Sequence, residues 1–238
     1  MEIPAQPEAG PLSDIEDFAY VASHDLKAPL RAIDNLSQWV LEDLGHAASP
    51  ETAENLGLIR KRVARMNRLL DDLLSYARAG NHPEAAVDID LSALLRSLQS
   101  RLPSRPGIRV ELPDGLPSFS GAAGALGQAM SALLSNAIVH HDRPEGLVRV
   151  SAAFKGGTVE IAVDDDGPGI EARHQERVFK LGQALKPKDE CEGSGVGLAL
   201  ARKIARAHGA TLSLSSGPGR GSRFSLAWPL RPPGASGA

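Results

Sequence analysis

Two glycine-punctuated segments and one histidine supply the residue types from which phosphate chemistry can be built. Asp166-Gly167-Pro168-Gly169-Ile170 follows an alternating apolar run at 158–163 and a polar step, Asp164-Asp165-Asp166. Glycines there let the backbone leave a strand in conformations closed to other residues. A carboxylate at that point, expected at Asp166, can accept from an exocyclic amine such as that of adenine. Gly193-Ser194-Gly195-Val196-Gly197-Leu198 opens a predicted helix at 195–208. The free N–H groups and positive dipole end of a helix N-terminus suit phosphates. The segment lacks the Gly-Lys-Ser/Thr of a phosphate loop, and no strand of a βαβ unit precedes it, so it is not a dinucleotide fingerprint either.

Between these glycines, residues 179–190 are polar and carry few helix or strand signals, as a movable cover over a nucleotide would. Lys186 and Lys188 lie in it and are candidates for triphosphate contacts, with solvated loop charges as the open alternative. Asn136 ends a largely apolar helix, and its amide oxygen is a candidate ligand for Mg²⁺, which takes oxygen donors and bridges phosphates. A helix-end cap is the alternative. His140 and His141 do not make a metal site, since Mg²⁺ does not favour imidazole and further zinc ligands are missing.

Upstream, His24 falls off the apolar stripe of its predicted helix and shares a face with Asp17, Lys27 and Arg31. A neutral imidazole so placed is nucleophilic near pH 7 and open to another domain. Asp25 beside it can hold the ring tautomer or accept a proton. Pro29 has no N–H for the Asp25 carbonyl and can bend the helix.

These groups need two kinds of scaffold. Residues 1–12 read as a disordered N-terminus. Residues 13–80 read as two amphipathic helices, the first opened by a Ser13/Glu16 capping box and the second by Pro50 after Ser49. Their apolar stripes are Ile15, Phe18, Ala22, Leu26, Pro29, Ile33, Leu36, Val40, Leu44 and Ala53, Leu56, Ile59, Val63, Met66, Leu70, Leu73, Ala77. One hairpin leaves such stripes half covered, so a homodimeric four-helix bundle is expected, with packing on the same chain's second domain as the alternative. Residues 81–230 alternate: strands at 87–90, 108–112, 147–154, 158–163, 211–215 and 222–228, helices at 91–101, 124–140 and 195–208. The fold class is therefore α plus α/β, a helical hairpin followed by an α/β sandwich. Residues 231–238 form a Pro/Gly/Ser tail.

The net charge of −3, from 26 basic and 29 acidic residues without a long basic run, removes nucleic acid and anionic membrane from the expected partners. Cys191 is the single cysteine, so no internal disulfide can form, which fits a reducing, cytoplasmic setting. No apolar stretch reaches the ~18 residues of a membrane helix, and the first residues lack a secretory pattern.

Taken in order, these motifs resemble the sensor histidine kinases of two-component systems. Ser23-His24-Asp25-Leu26-Lys27-Ala28-Pro29-Leu30-Arg31 resembles the H-box, Asn136-Ala137 the N-box, Val178-Phe179 the phenylalanine box, and the two glycine segments the two glycine boxes. His-Asp-Leu-Lys-x-Pro-Leu-Arg and Asn-Ala-Ile-x-His-His-Asp-Arg-Pro-Glu-Gly resemble the phytochrome-like subgroup. The resemblance implies a dimerisation and phosphoacceptor domain followed by an ATPase domain of the gyrase/histidine-kinase (Bergerat) type. It implies that His24 attacks the γ-phosphate of ATP-Mg²⁺ with Asp25 as base, that Asn136 holds Mg²⁺ and that Asp166 takes the adenine amine. Gly167, Gly169, Ile170, Gly193, Ser194, Gly195, Val196, Gly197 and Leu198 would line the nucleotide. The phosphoryl group would pass to the receiver-domain aspartate of a response regulator, with input from a separate or missing sensor domain.

Three positions depart from the family pattern. Val139 stands where Lys or Arg is usual, Ala132 where a second Asn is frequent, and Ala28 where strong phosphatases carry Thr or Asn. The first two keep open a histidine phosphotransferase with a degenerate ATP domain. The third sets an expectation of weak phosphatase activity.

Overall fold

The computed structural model describes residues 11–81, 84–183 and 193–230. Lys186, Lys188 and Cys191 lie outside the described residues. The chain separates into two compact units, Met1–Arg78 and Ala79–Ala238.

The first unit is a helical hairpin of α1 (Pro11–Leu44) and α2 (Pro50–Arg78), joined through a 3-10 turn at Gly45–Ala47. Helix α1 is described from Pro11, so Ser13 lies within it. Helix α2 begins as expected, with Ser49 Oγ accepting from the Thr52 N–H at 3.1 Å.

The face that α1 turns inward is not the expected stripe. Ala19, Ser23, Leu30 and Ser37 are the buried positions. Ion pairs join the two helices, Lys27 to Asp71 at 2.5 Å and Arg60 to Asp34 at 3.0 Å. Leu26, Ile33, Leu36, Val40 and Leu44 are exposed, as are Ile59, Met66 and Leu73 of α2. Small residues let the two helices approach, and the bulkier apolar stripe lies beside that seam.

The second unit layers helices on a five-stranded sheet of order β2-β4-β5-β7-β6, comprising β2 (Ile108–Glu111), β4 (Gly146–Lys155), β5 (Thr158–Asp165), β6 (Thr211–Ser216) and β7 (Ser222–Pro229). The β2–β4 pair is parallel and the others antiparallel. A separate ribbon pairs β1 (Val87–Asp90) with β3 (Ser118–Gly121), a strand the sequence reading missed. Helices α3 (Leu91–Gln99), α4 (Ala123–Val139) and α6 (Gly197–Ala207) bury Leu95, Leu126, Met130, Leu133 and Ile204 against Val148, Val159, Ile161, Phe224 and Trp228. A single turn, α5 (Ala172–Gln175), precedes a 3-10 turn at Arg177–Phe179. No helix among the described residues is long and apolar enough to cross a membrane.

Helix α4 is largely buried and cannot cap itself. Its N-cap residue is Ala122, which has no side-chain acceptor. Glu84 fills the role from a distance: its two carboxylate oxygens accept from the N–H groups of Gly124 (2.6 Å) and Ala125 (2.9 Å). At the other end Arg105 donates to the carbonyls of Ile138 (3.3 Å), Val139 (3.2 Å) and His141 (2.5 Å). An acidic group at the N-terminus and a guanidinium at the C-terminus complement the helix dipole. Glu84→Ala is expected to destabilise the second unit by about 1–2 kcal/mol, the usual loss on removing an N-cap. Urea denaturation checks this, with the midpoint falling and the slope unchanged.

Candidate functional site

The hairpin presents His24 openly. Its side chain is 73% exposed and its Nδ1 lies 3.2 Å from Asp25 Oδ1. A carboxylate accepts, so Nδ1 is the donor, and Nε2 keeps its lone pair toward solvent. Pro29 sits inside α1 without breaking it, five residues after His24.

In the second unit the first glycine segment forms the loop after β5. Within β5, Val159, Ile161 and Val163 are fully buried and pack toward the helices. Asp164 lies on the opposite face, bound by Arg223 at 2.8 Å. Period-two alternation therefore puts Asp165 on the helix side. Asp166, the residue expected to take an amine, has one carboxylate oxygen engaged within the protein. Its Oδ1 accepts from the Leu147 N–H (2.7 Å) and lies 2.8 Å from His141 Nε2. Arg143 also donates to the Asp166 carbonyl.

The two carboxylates are driven apart electrostatically. Burial pushes the Asp165 carboxyl up from its ordinary value, against hydrogen bonds from Gly167 and Ser222. The Leu147 N–H holds Asp166 below its ordinary value, helped by His141 and opposed by partial desolvation. Adjacent carboxylates in unlike environments are a recurring mark of functional sites.

The loop itself is pinned. Gly169 has φ +72°, and a Cβ there would lie 1.9 Å from the Gly217 carbonyl oxygen, so a side chain is excluded by both conformation and space. The Ile170 N–H donates to Ser216 Oγ (2.8 Å), which in turn donates to the Gly221 carbonyl (2.8 Å). Gln175 Nε2 bridges the carbonyls of Ile170 and Ser216.

The second glycine segment enters α6, which begins at Gly197, two residues later than expected. Gly195 has φ +72° and its carbonyl accepts from the Gly182 N–H at 3.0 Å. The two sides of the 184–192 segment are thereby held together. Ser194 Oγ accepts from the Val196 N–H. Val196 and Leu198 are buried, whereas Gly193, Ser194, Gly195 and Gly197 are half-buried. The start of α6 lies against α4, with a Cβ at Gly197 falling 3.9 Å from that of Ala132. One helical turn beyond Ala132 is Asn136, half-buried, whose side chain makes no hydrogen bond among the described residues. Phe179 is buried edge-to-face on Phe224, with Arg202 over its ring at 5.0 Å.

The structure thus brings Asn136, Gly197 and the Asp165–Gly169 loop around α4. Two residues at this loop, Asp165 and His141, were not among the sequence-derived candidates. Asp165 was legible by counting in twos from Val159. His141 carried no such signal.

Family comparisons agree with this arrangement. Residues 14–82 match the His Kinase A (phospho-acceptor) domain, and residues 121–232 match the histidine kinase-, DNA gyrase B- and HSP90-like ATPase. The chain belongs to the sensor histidine kinase family. It is 31% identical to cyanobacterial phytochrome B of Nostoc sp. over 89% of this chain and 29% of that protein. It is 34% identical to the methanogenesis regulatory histidine kinase FilI of Methanothrix harundinacea over 88% of this chain and 24% of that protein. The chain therefore spans less than a third of the length of either relative. A crystal structure of full-length ShkA in complex with AMPPNP matches with a TM-score of 0.70 over 92% of this chain and 47% of that one. At 24% identity that likeness establishes the fold.

The opposed carboxylate environments make a stability prediction. A folded-state pKa raised above the unfolded value means that Asp165 contributes most at low pH and loses that contribution as pH rises through its folded pKa. Asp166 behaves oppositely: its contribution is present above the unfolded value, near 3.8, and is lost as pH falls through the folded pKa. Thermal unfolding at pH 7 should show a raised Tm for Asp165→Asn and a lowered Tm for Asp166→Asn, both differences shrinking toward pH 3.

Proposed function

We propose that this chain is the catalytic core of an ATP-dependent protein-histidine kinase that phosphorylates itself on His24 and passes the phosphoryl group to an aspartate of a response regulator. The observation that carries the reading is the exposed His24 imidazole, its Nδ1 occupied by Asp25 and its Nε2 open, on a chain that also has the ATPase domain. In the step itself the Nε2 lone pair forms the N–P bond, the bond from the γ-phosphorus to the β,γ-bridging oxygen breaks, and ADP leaves. Asp25 accepts the Nδ1 proton as charge builds on the ring, so the product imidazole is neutral. Most of the acceleration in such transfers comes from in-line positioning and charge neutralisation.

In the nucleotide pocket, Asp165 replaces Asp166 as the acceptor for the adenine amine. Its support is its place on the helix face of β5, while Oδ1 of Asp166 is held by Leu147 and His141. Gly167, Gly169 and Ile170 line the base side, and Gly193 through Leu198 turn backbone N–H groups toward the phosphates, apart from Val196, whose N–H is held by Ser194 Oγ, with the side chains of Val196 and Leu198 in the core. Lys186 and Lys188 are proposed to meet the triphosphate. A Mg²⁺ ion, when bound, neutralises charge on the phosphates, and Asn136 is the side chain that would hold it. Its uncommitted amide oxygen fits a cation that takes few protein ligands and keeps phosphate and water in its shell.

The active unit is a homodimer in this reading. The exposed stripe of Leu26, Ile33, Leu36, Val40 and Leu44 gives a second hairpin an apolar face to cover, and sedimentation of the intact chain at micromolar concentration should show twice the monomer mass. Ala28 offers no polar group to orient a hydrolytic water, so weak phosphatase activity is expected. A fast nucleotide-independent loss of regulator phosphate would contradict that.

Incubation with γ-labelled ATP and Mg²⁺ tests the central step. The chain should take up acid-labile, alkali-stable label, and His24→Gln should take up none while keeping its nucleotide affinity. A folded, dimeric chain that binds nucleotide but acquires no label would exclude the kinase reading and leave phosphotransfer.

A further inference from the structure

We infer that His141 is a positioning residue for base recognition: its buried imidazole locks the end of α4 to the end of β5 and so holds Asp165 at the place where it reads the nucleotide's exocyclic amine. This rests on the reading of Asp165 given above.

The imidazole is completely shielded from solvent, and both of its nitrogens are used. The Arg143 backbone N–H donates to Nδ1 at 3.2 Å. A nitrogen that accepts carries no proton, so the neutral ring holds its hydrogen on Nε2 and donates it to Asp166 Oδ1 at 2.8 Å. The same Oδ1 takes the Leu147 N–H. The His141 carbonyl accepts from Arg105, which also closes the last turn of α4. His141 is thus tied through its carbonyl to Arg105 at the C-terminus of α4 and through its ring to Asp166 in the loop after β5, and Asp166 in turn holds the start of β4.

The chain makes room for this ring. A Cβ on Gly146 would fall 2.1 Å from His141 Nε2 and 2.3 Å from Cε1, so the imidazole occupies the space of a side chain at 146. On its other side a Cβ at Gly167 would lie 3.6 Å from His141 Cδ2 and 2.9 Å from Asp165 Oδ1. The ring and the Asp165 carboxylate therefore flank the same glycine. Fixing Asp166 from one side fixes the backbone that aims Asp165 from the other. The phosphate side of the pocket, at Asn136 and the start of α6, makes none of these contacts.

A residue acting in this way should alter discrimination between bases more than phosphate binding. The test is calorimetric titration of the full chain with Mg-ATP and with the Mg-triphosphate of purine riboside, which lacks the 6-amino group. The parent should prefer ATP. His141→Leu should lose about tenfold of that preference, the scale of one misplaced hydrogen bond, with affinity for the amine-free nucleotide almost unchanged. His141→Gln retains an N–H donor and should restore most of the preference. Equal loss for both nucleotides in His141→Leu, or no loss for either, would overturn the inference. If that variant does not fold, ¹⁵N spectra of the parent decide it: a protonated Nε2 with an unprotonated Nδ1 supports the assignment, and the reverse tautomer contradicts it. A parent that binds both nucleotides equally would overturn the Asp165 reading itself, and this inference with it.

Discussion

The second unit depends on keeping in place a helix that does not terminate itself. Helix α4 is apolar along most of its length and begins after an alanine, so its free N–H groups and its last carbonyls need partners from elsewhere. Glu84, about forty residues earlier in the chain, supplies one end, and Arg105 supplies the other. Both are charged groups satisfying backbone dipoles in partly buried surroundings, where such bonds count for more than in water. The sides of α4 are sealed by the sheet and by α6. With its axial position set, Asn136 is placed one turn past the contact with Gly197, and the chain leaves α4 directly into His141.

From there the site follows from parity and polarity. Strand β5 alternates one buried valine or isoleucine with one outward residue until it runs out of sheet at Asp165. Three acidic residues in a row then meet three different fates. Asp164 pairs with Arg223 on the open face, Asp165 is drawn toward the helices and kept partly desolvated, and Asp166 is captured by Leu147 and His141. A desolvated carboxylate is costly to keep charged and gains from a bound donor, whereas the half-exposed Asp166 carboxylate, already stabilised by Leu147 and His141, gains less. That contrast supports the proposal that Asp165, one residue upstream of Asp166, takes the base.

Much of this was legible in the residues. The order of elements in the second unit followed from alternation and turn chemistry, and the glycine segments fell where strands and helices meet. What escaped had physical causes. Asp166 was singled out because it adjoins Gly167, whereas the face a residue takes depends on strand register, which extends to Asp165. The ring of His141 replaces a side chain that Gly146 lacks, and such a cavity is a tertiary fact. Strand β3, at Ser118–Gly121, is too short and too serine-rich to announce itself and is fixed by pairing with β1. In the hairpin, the hydrophobic stripe marked the surface left bare by one chain, while the seam between α1 and α2 used alanine, serine and paired charges.

The account stands most directly on which of two adjacent carboxylates meets the base. Calorimetric titration of Mg-ATP into Asp165→Asn and Asp166→Asn separates them. Asparagine at 166 can still accept from Leu147 and His141, so that variant should bind ATP within about threefold of the parent, less than the loss of one hydrogen bond. Asparagine at 165 should reduce affinity by about tenfold or more. The reverse order, with Asp166→Asn losing the nucleotide and Asp165→Asn keeping it, would contradict the account.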